Sequence, residues 1–383
     1  MKKFIYFDNA ATSYPKPDSV PSAIERFIRE CGGNPGRAGH RLSIEAGKVI
    51  WNTREKISRL FNVKNPLNVI FTPNATVAIN LALMGILSPG DHVITSAMEH
   101  NSVMRPLRYL ESKGVIITRV PCDIEGKFNL ESFENSFRKE TKLVIVTHAS
   151  NVTGTIMPVK EIGKIARNHE TLFCVDSAQS AGSLEIDMEN MNIDLLAFTG
   201  HKSLYGPQGT GGLCVSDRAI KNLKPLIYGG TGSGSSSDEQ PDFPPDKFEA
   251  GTPNTPGLAG LSAGLDFIQS KGIKNIREIE KKLCSILING LRDIPEIKIT
   301  GPVNADERAA IVSFTVENKT CSEIAEQLEE KGGIICRAGL HCAPYAHRTI
   351  GTFPSGTVRI SPGFFNTEDE IKKLVQILNE IVK

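Results

Sequence analysis

Three short apolar runs are each followed by residues with chemical capability. The first ends at Phe71 and leads into Thr72-Pro73-Asn74-Ala75-Thr76 before an apolar, helix-length stretch. Such a turn leaves free backbone N–H groups and a hydroxyl where a phosphate docks. Taken alone it is more simply a capped helix with Asn74 as N-cap. The G-x-x-x-x-G-K-S/T pattern of a nucleotide P-loop is missing. The second run ends at Val175 and gives way to Asp176-Ser177-Ala178-Gln179. A carboxylate buried there needs a cationic partner, and a protonated pyridine nitrogen would serve, although capping the next helix is the commoner use of one Asp. The third run, 195–198, leads into Thr199-Gly200-His201-Lys202-Ser203. A lysine aimed into a cleft loses hydration, becomes nucleophilic near neutral pH and can form a Schiff base; the alternative is a surface lysine on a glycine-rich turn. The order of phosphate-type turn, aspartate and lysine says more than any one of them.

A fourth feature is a thiol. Cys342 lies in the loop Arg337-Ala338-Gly339-Leu340-His341-Cys342-Ala343-Pro344, poor ground for a core residue. Beside Arg337 and His341 it reads as an available thiolate, because positive neighbours favour ionisation. Cys174, Cys214 and Cys336 follow apolar runs and read as small core residues. The eight cysteines contain no C-x-x-C pair and are scattered along the chain, which argues against a zinc site or a disulfide framework and for a reducing, cytoplasmic setting. No metal is expected.

These residues need a scaffold that presents strand ends. From about Leu67 to Val215 seven β-branched apolar runs alternate with amphipathic stretches: 68–71, 92–95, 115–118, 143–146, 172–175, 195–198 and 212–215. That rhythm predicts an α/β fold, a mainly parallel seven-stranded sheet covered by helices, with ligands beyond the carboxyl ends of its strands. The stretch 231–245, TGSGSSSDEQPDFPP, predicts a mobile loop. Strand-like 310–314 and 356–360 and a helix from Thr367 predict a smaller α/β C-terminal domain. At 383 residues the chain has room for both. With 44 basic against 43 acidic residues and no block of like charge, nucleic-acid and membrane-surface roles are not expected; a small zwitterionic substrate is. No segment approaches the length of a membrane span, and the four apolar residues before Asp8 are too few for a signal peptide.

The segments FDNAAT (7–12), RAGHRLS (37–43), TPNATVAINL (72–81), MEHNS (98–102), HASNVTGT (148–155), VDSAQSAG (175–182), TGHKSLYGPQGTG (199–211), FEAGTPNT (248–255) and RAGLHCA (337–343) occur in fixed order over almost the whole chain. In these the chain resembles the Suf-type cysteine desulfurases and related selenocysteine lyases, in the class V aminotransferase group of fold-type I pyridoxal-phosphate enzymes. The resemblance implies that Lys202 carries pyridoxal 5'-phosphate, that Ala75, Thr76, Thr199 and His201 bind its phosphate, and that His100 stacks on its ring. Asp176 would pair with the pyridine nitrogen and Gln179 with the ring oxygen. Asn151 and Arg359, with Arg37 and His40, would hold the substrate. Gly251 and Thr252 would reach the phosphate of a neighbouring subunit, which implies a homodimer. Lys202, His100 and Cys342 would be the catalytic set. Cys342 would take sulfur from L-cysteine as a persulfide and leave L-alanine, or assist release of selenium from L-selenocysteine, with an acceptor protein downstream. Transaminase or epimerase chemistry is the more distant alternative. The implied division is a large cofactor-binding domain over 17–255 and a smaller one made of 1–16 and 256–383 that carries the Cys342 loop. One departure stands out: the family loop reads R-x-G-H-H-C, and Leu340 stands here where its first histidine falls.

Overall fold

A computed structural model describes residues 4–36, 39–234 and 236–383. The chain opens with β1 (Ile5–Tyr6). The strands β2 (Val69–Thr72), β3 (His92–Ser96), β4 (Ile116–Val120), β5 (Thr141–Thr147), β6 (Leu172–Asp176), β7 (Leu195–Thr199) and β8 (Gly211–Val215) then form one sheet in the order β2-β8-β7-β6-β5-β3-β4. All neighbours in it are parallel except β8, which runs antiparallel to both β7 and β2. The seven runs expected from the sequence are these seven strands.

The centre of the sheet is buried on both faces, which is why its strands read as unbroken apolar runs. Alternate residues still divide between two cores. Val144 and Val146 face Ile57, Phe61 and Ile162 on one side, together with Leu261 from the helix Thr255–Lys271. Leu143 and Ile145 face Ile79, Leu83, Val103 and Leu107 on the other. The glycines of β8 permit close approach at a decisive place: a Cβ on Gly211 would lie 2.8 Å from the Cα of Asn74, so only glycine lets the Thr72–Thr76 turn sit against the sheet.

A second, antiparallel sheet is formed by β9 (Ile297–Thr300), β10 (Val312–Val316), β12 (Arg337–Gly339) and β13 (Thr357–Ile360) in the order β12-β13-β10-β9. Leu287, Phe314, Ile324, Val358, Leu374 and Leu378 pack into its own core. The expected strand at 310–314 is shifted to β10, while the terminal helix Glu368–Val382 starts where the sequence placed it, behind a Thr367–Glu370 capping box. β1 pairs in parallel with β11 (Ile334–Ile335), so the N-terminal strand belongs with this smaller unit. Packing divides later than residue 255: Leu258, Leu261, Leu265 and Ile268 sit in the core of the large sheet, and the change comes within the helix Ile273–Arg292, between Ile276 and Leu283. The described residues of 231–245 form no helix or strand.

Arg308 joins the two units. It is fully buried, and its guanidinium donates to the carbonyls of Thr153, Thr300, Pro302 and Ile311. Arg308→Met keeps the stem but strands these four acceptors, each worth about 1–3 kcal/mol if left unpaired. A clearly lowered urea midpoint relative to wild type is expected, with no change in secondary structure at zero denaturant.

Candidate active site

The parallel strands all end on the same edge of the sheet, and one cavity of about 240 Å³ opens there. Ala75 and Thr76 enter it from the turn after β2, where Asn74 caps the helix Ala75–Ile86 by accepting from Val77 N–H. The first N–H groups of that helix are therefore presented at its open end. Asp176 closes β6, Thr199 closes β7, and His201 and Lys202 follow in the next turn. Gln179 also lines the cavity and is steadied by donating to the carbonyl of Ala10 at 3.0 Å.

Lys202 and Asp176 set the electrostatics. Burial pushes the lysine amine down to about 8; the Asp176 carboxylate opposes that shift, and the guanidiniums of Arg359 and Arg337 add to it. Asp176 is in turn raised by burial and pulled back by the Ala178 N–H, at 3.0 Å, and by Lys202. The turn itself is clamped from behind. Ser13 Oγ donates to the carbonyl of Lys202, while Thr12 Oγ1 and Lys16 Nζ donate to that of His201.

His100 caps the helix Asn101–Glu111, its Nδ1 accepting the backbone N–H of Ser102 at 3.0 Å. A backbone N–H can only donate, so the ring proton sits on Nε2. Burial, with help from Lys202, pushes this histidine down to about 4 and keeps it neutral.

On the opposite wall Arg359 bonds Asp8 through Nη2 at 2.7 Å and the carbonyl of Asn151 through Nη1 at 3.1 Å. Asn151 donates to the carbonyl of His341 at 2.7 Å. Five buried atoms of these walls have no partner among the described residues: Thr199 Oγ1, His201 Nδ1, Asn151 Oδ1, His341 Nδ1 and Arg359 Nε. Stranded polar groups are costly, and five around one cavity mark it as built for a polar ligand.

Cys342 is exposed at the rim. Its Sγ lies 3.7 Å from Arg337 Nη2, and Arg337 itself lines the cavity. His341 and Cys342 both have positive φ, 48° and 58°. For non-glycine residues this costs about 1–2 kcal/mol each. The loop is held in place by Asn101 N–H, which donates to the carbonyl of Cys342 at 2.8 Å.

One expectation needs correction. His341 is not a cation beside the thiol: it is buried, its Nε2 is 3.0 Å from Thr357 Oγ1, and burial pushes it down to about 2. Of the expected pair, only Arg337 brings positive charge to Cys342. His40 is not brought to the cavity; it is exposed and caps the helix Arg41–Phe61, accepting from Ser43 N–H at 3.2 Å. Arg37 lies outside the described residues. Gly251 and Thr252 are exposed and line a separate cavity of about 290 Å³ with Leu226 and Ile227. Cys174 and Cys214 are buried as expected; Cys336 is partly buried, its thiol pushed up to about 12.

Sequence reasoning passed over Thr147, Ser102 and Ala11, which also line the cavity. Thr147 was within reach, since it closes β5 and the same strand-end rule that found Asp176 applies to it.

A mainly parallel sheet with helices on both faces, a partly buried lysine and a buried aspartate in one cavity at its strand ends, and a smaller domain bearing a thiol at the rim define a class of α/β enzyme. The chain belongs to the class-V aminotransferase family, whose match runs over residues 5–374. It is 35% identical to a protein of Methanothermobacter thermautotrophicus named "Probable cysteine desulfurase", over all of this chain and 95% of that one. A protein of the same name from Pyrococcus abyssi is also 35% identical, with the same coverage. The solved apo structure of a cysteine desulfurase from Thermococcus onnurineus NA1 superposes with a TM-score of 0.93 at 33% identity, covering 99% of this chain and 94% of that one.

His100 is expected to stay neutral throughout the working range. In histidine-labelled protein, the NMR signal that disappears in His100→Gln should show no titration above about pH 5, whereas an exposed histidine titrates near 6.5.

Proposed function

We propose that this protein is a cysteine desulfurase that holds pyridoxal 5'-phosphate on Lys202 and removes sulfur from L-cysteine through Cys342, leaving L-alanine. The observation that carries this reading is that Lys202 and Asp176 line one cavity with five unpartnered polar atoms, at whose rim Cys342 sits on Arg337. The donor set suits the cofactor: Ala75, Thr76, Thr199 and His201 offer N–H and hydroxyl groups to a phosphate, and Asp176 offers a carboxylate to a pyridine nitrogen. When bound, pyridoxal phosphate supplies an electron sink for the carbanion formed at the substrate α-carbon.

The chain's own groups divide the remaining work. Lys202, lowered to about 8, has a fraction of free amine at neutral pH sufficient to capture an aldehyde and later to move a proton at the substrate α-carbon. Neutral His100 presents Nε2–H as a donor on the ring side of the cavity. Arg359 Nε–H, with the Asn151 Nδ2 hydrogen not given to the His341 carbonyl, donates to the substrate carboxylate. The Cys342 sulfur, 3.7 Å from Arg337 Nη2, attacks the substrate sulfur as its thiolate; the S–S bond forms as the C–S bond breaks, the electron pair stays with the carbon, and protonation gives alanine. The persulfide is then passed to an acceptor protein with an accessible thiol.

The selenocysteine alternative is not favoured, since the relatives are named for cysteine. Exposed Leu226, Ile227 and Tyr228 beside Gly251 and Thr252 suit a second copy of the chain, which would bring those two residues to the partner's phosphate. No helix of the described residues is long and apolar enough to cross a membrane, and no His, Cys, Asp or Glu cluster among them is arranged to hold a metal. Eight unbridged thiols accord with a reducing, cytoplasmic setting.

Two variants test the reading. Lys202→Ala should lose the lysine-bound chromophore and all turnover. Cys342→Ala should keep the chromophore, lose the persulfide detectable by mass spectrometry and slow alanine formation from cysteine by about a hundredfold or more. Sulfide release by Cys342→Ala at the wild-type rate would sink the assignment of the thiol.

A further inference from the structure

Glu99 is fully buried, stands directly before His100, and has no part in the chemistry above. Its Oε1 accepts from the Ser96 hydroxyl at 2.5 Å and from the Thr147 backbone N–H at 3.0 Å, while Oε2 has no partner. Thr147 is a cavity wall residue and the register partner of Asp176 across β5 and β6. One buried carboxyl therefore grips the peptide beside another. The titratable groups that face Glu99 are Asp176 and the Cys174 thiol from β6 and the Cys122 thiol from beyond β4; no cation counters it.

Two ionised carboxylates sharing one dry space are not sustained by a single ammonium, so one proton remains between them. Asp176 has Lys202 and the Ala178 N–H to stabilise its charge; Glu99 has no ammonium. Both bonds to Glu99 fall on Oε1, which marks that atom as the carbonyl oxygen and leaves Oε2 for the proton. Burial, reinforced by Asp176, pushes Glu99 up to about 8, in agreement with that placement.

We propose that Glu99 is a positioning residue kept in its neutral form: it leaves Asp176 to carry the charge toward the cofactor alone, and its carbonyl oxygen fixes the Thr147 peptide beside Asp176. This rests on the cofactor reading above. Its consequence is that ionisation of Glu99 in alkali adds a second negative charge and raises the pKa of the protonated cofactor nitrogens.

Glu99→Gln mimics the neutral acid at every pH. Absorbance titration of the holoenzyme should superimpose on wild type at neutral pH and depart from it above about 8, where only the wild type gains the charge. Turnover at neutral pH should stay within about threefold, since the amide keeps the acceptor for Thr147. A titration shifted at neutral pH would mean that wild-type Glu99 is ionised there; superposition at every pH would reduce the residue to a structural one. Either result overturns the proposal.

Should Glu99→Gln fail to fold, infrared spectroscopy decides. Glu280 is the other glutamate that burial raises to about 8, and Glu280→Gln removes its signal. In that variant, carrying 13C-glutamate, a protonated-carboxyl band should persist at neutral pH and vanish as pH rises through about 8; no band at neutral pH overturns the proposal. Wild-type protein that forms no lysine-bound chromophore would refute the cofactor reading instead, while the infrared band still reports on Glu99.

Discussion

The desolvation of Lys202 against Asp176 is the constraint on which the rest of the structure depends. An amine held out of water is useful as a nucleophile only if it is not stabilised too well, and the partner carboxylate offsets burial without cancelling it. Keeping both groups dry requires the full thickness of the sheet beneath them and helices on both faces. The strand ends supply the positions, and the antiparallel β8 brings the phosphate-type turn against them through Gly211. The same dryness explains why His100 and His341 stay neutral and why Glu99 holds its proton.

The N-terminal segment extends this constraint to the smaller domain. β1 is a strand of the small unit, yet the residues just after it reach the large one: Ser13, Thr12 and Lys16 grip the turn of Lys202 from behind. Between these points Asp8 pairs with Arg359, a buried guanidinium of β13. A buried ion pair is weak as a source of stability but strict about geometry, because moving one partner strands the other. The Arg359 wall and the lysine turn are thereby tied to one another through the chain from Asp8 to Lys16, and the smaller domain cannot shift without disturbing both.

Much of this was legible in the sequence because both faces of a parallel sheet are dry and leave continuous apolar runs. Once the runs are placed, the strand-end rule picks out Thr76, Asp176, Thr199 and Lys202 without further information. Other features depend on contacts between segments far apart in sequence. His341 read as a charged neighbour of Cys342, and only the Thr357 contact across the small sheet shows it buried and neutral. Nothing in the sequence singles out Glu99; Ser96, Thr147 and Asp176 enclose it from three strands. Gly251 and Thr252 are exposed on a separate cavity, and a role toward a second chain is not one that a single chain's cavity would show. The core of the large sheet runs on past residue 255 through Thr255–Lys271, a helix as apolar as a core element of either unit.

Cys342 is governed by a different balance. Two successive left-handed residues, His341 and Cys342, are a local cost of about 2–4 kcal/mol together. They persist because each carbonyl is held by a residue of the cavity region: Asn151 holds that of His341, and Asn101, beside His100, holds that of Cys342. The thiol therefore does not sit on an independent loop. Its place is set by Asn151 on one wall of the cavity and by the helix cap that carries His100, so a shift of Asn151 acts on the backbone that aims the sulfur. Leu340 adds no charge or proton donor to this loop, and with His341 locked against Thr357 the side-chain charge that touches the thiol comes from Arg337. The fold places the lysine; the strain and anchoring of two loop residues, His341 and Cys342, place the cysteine.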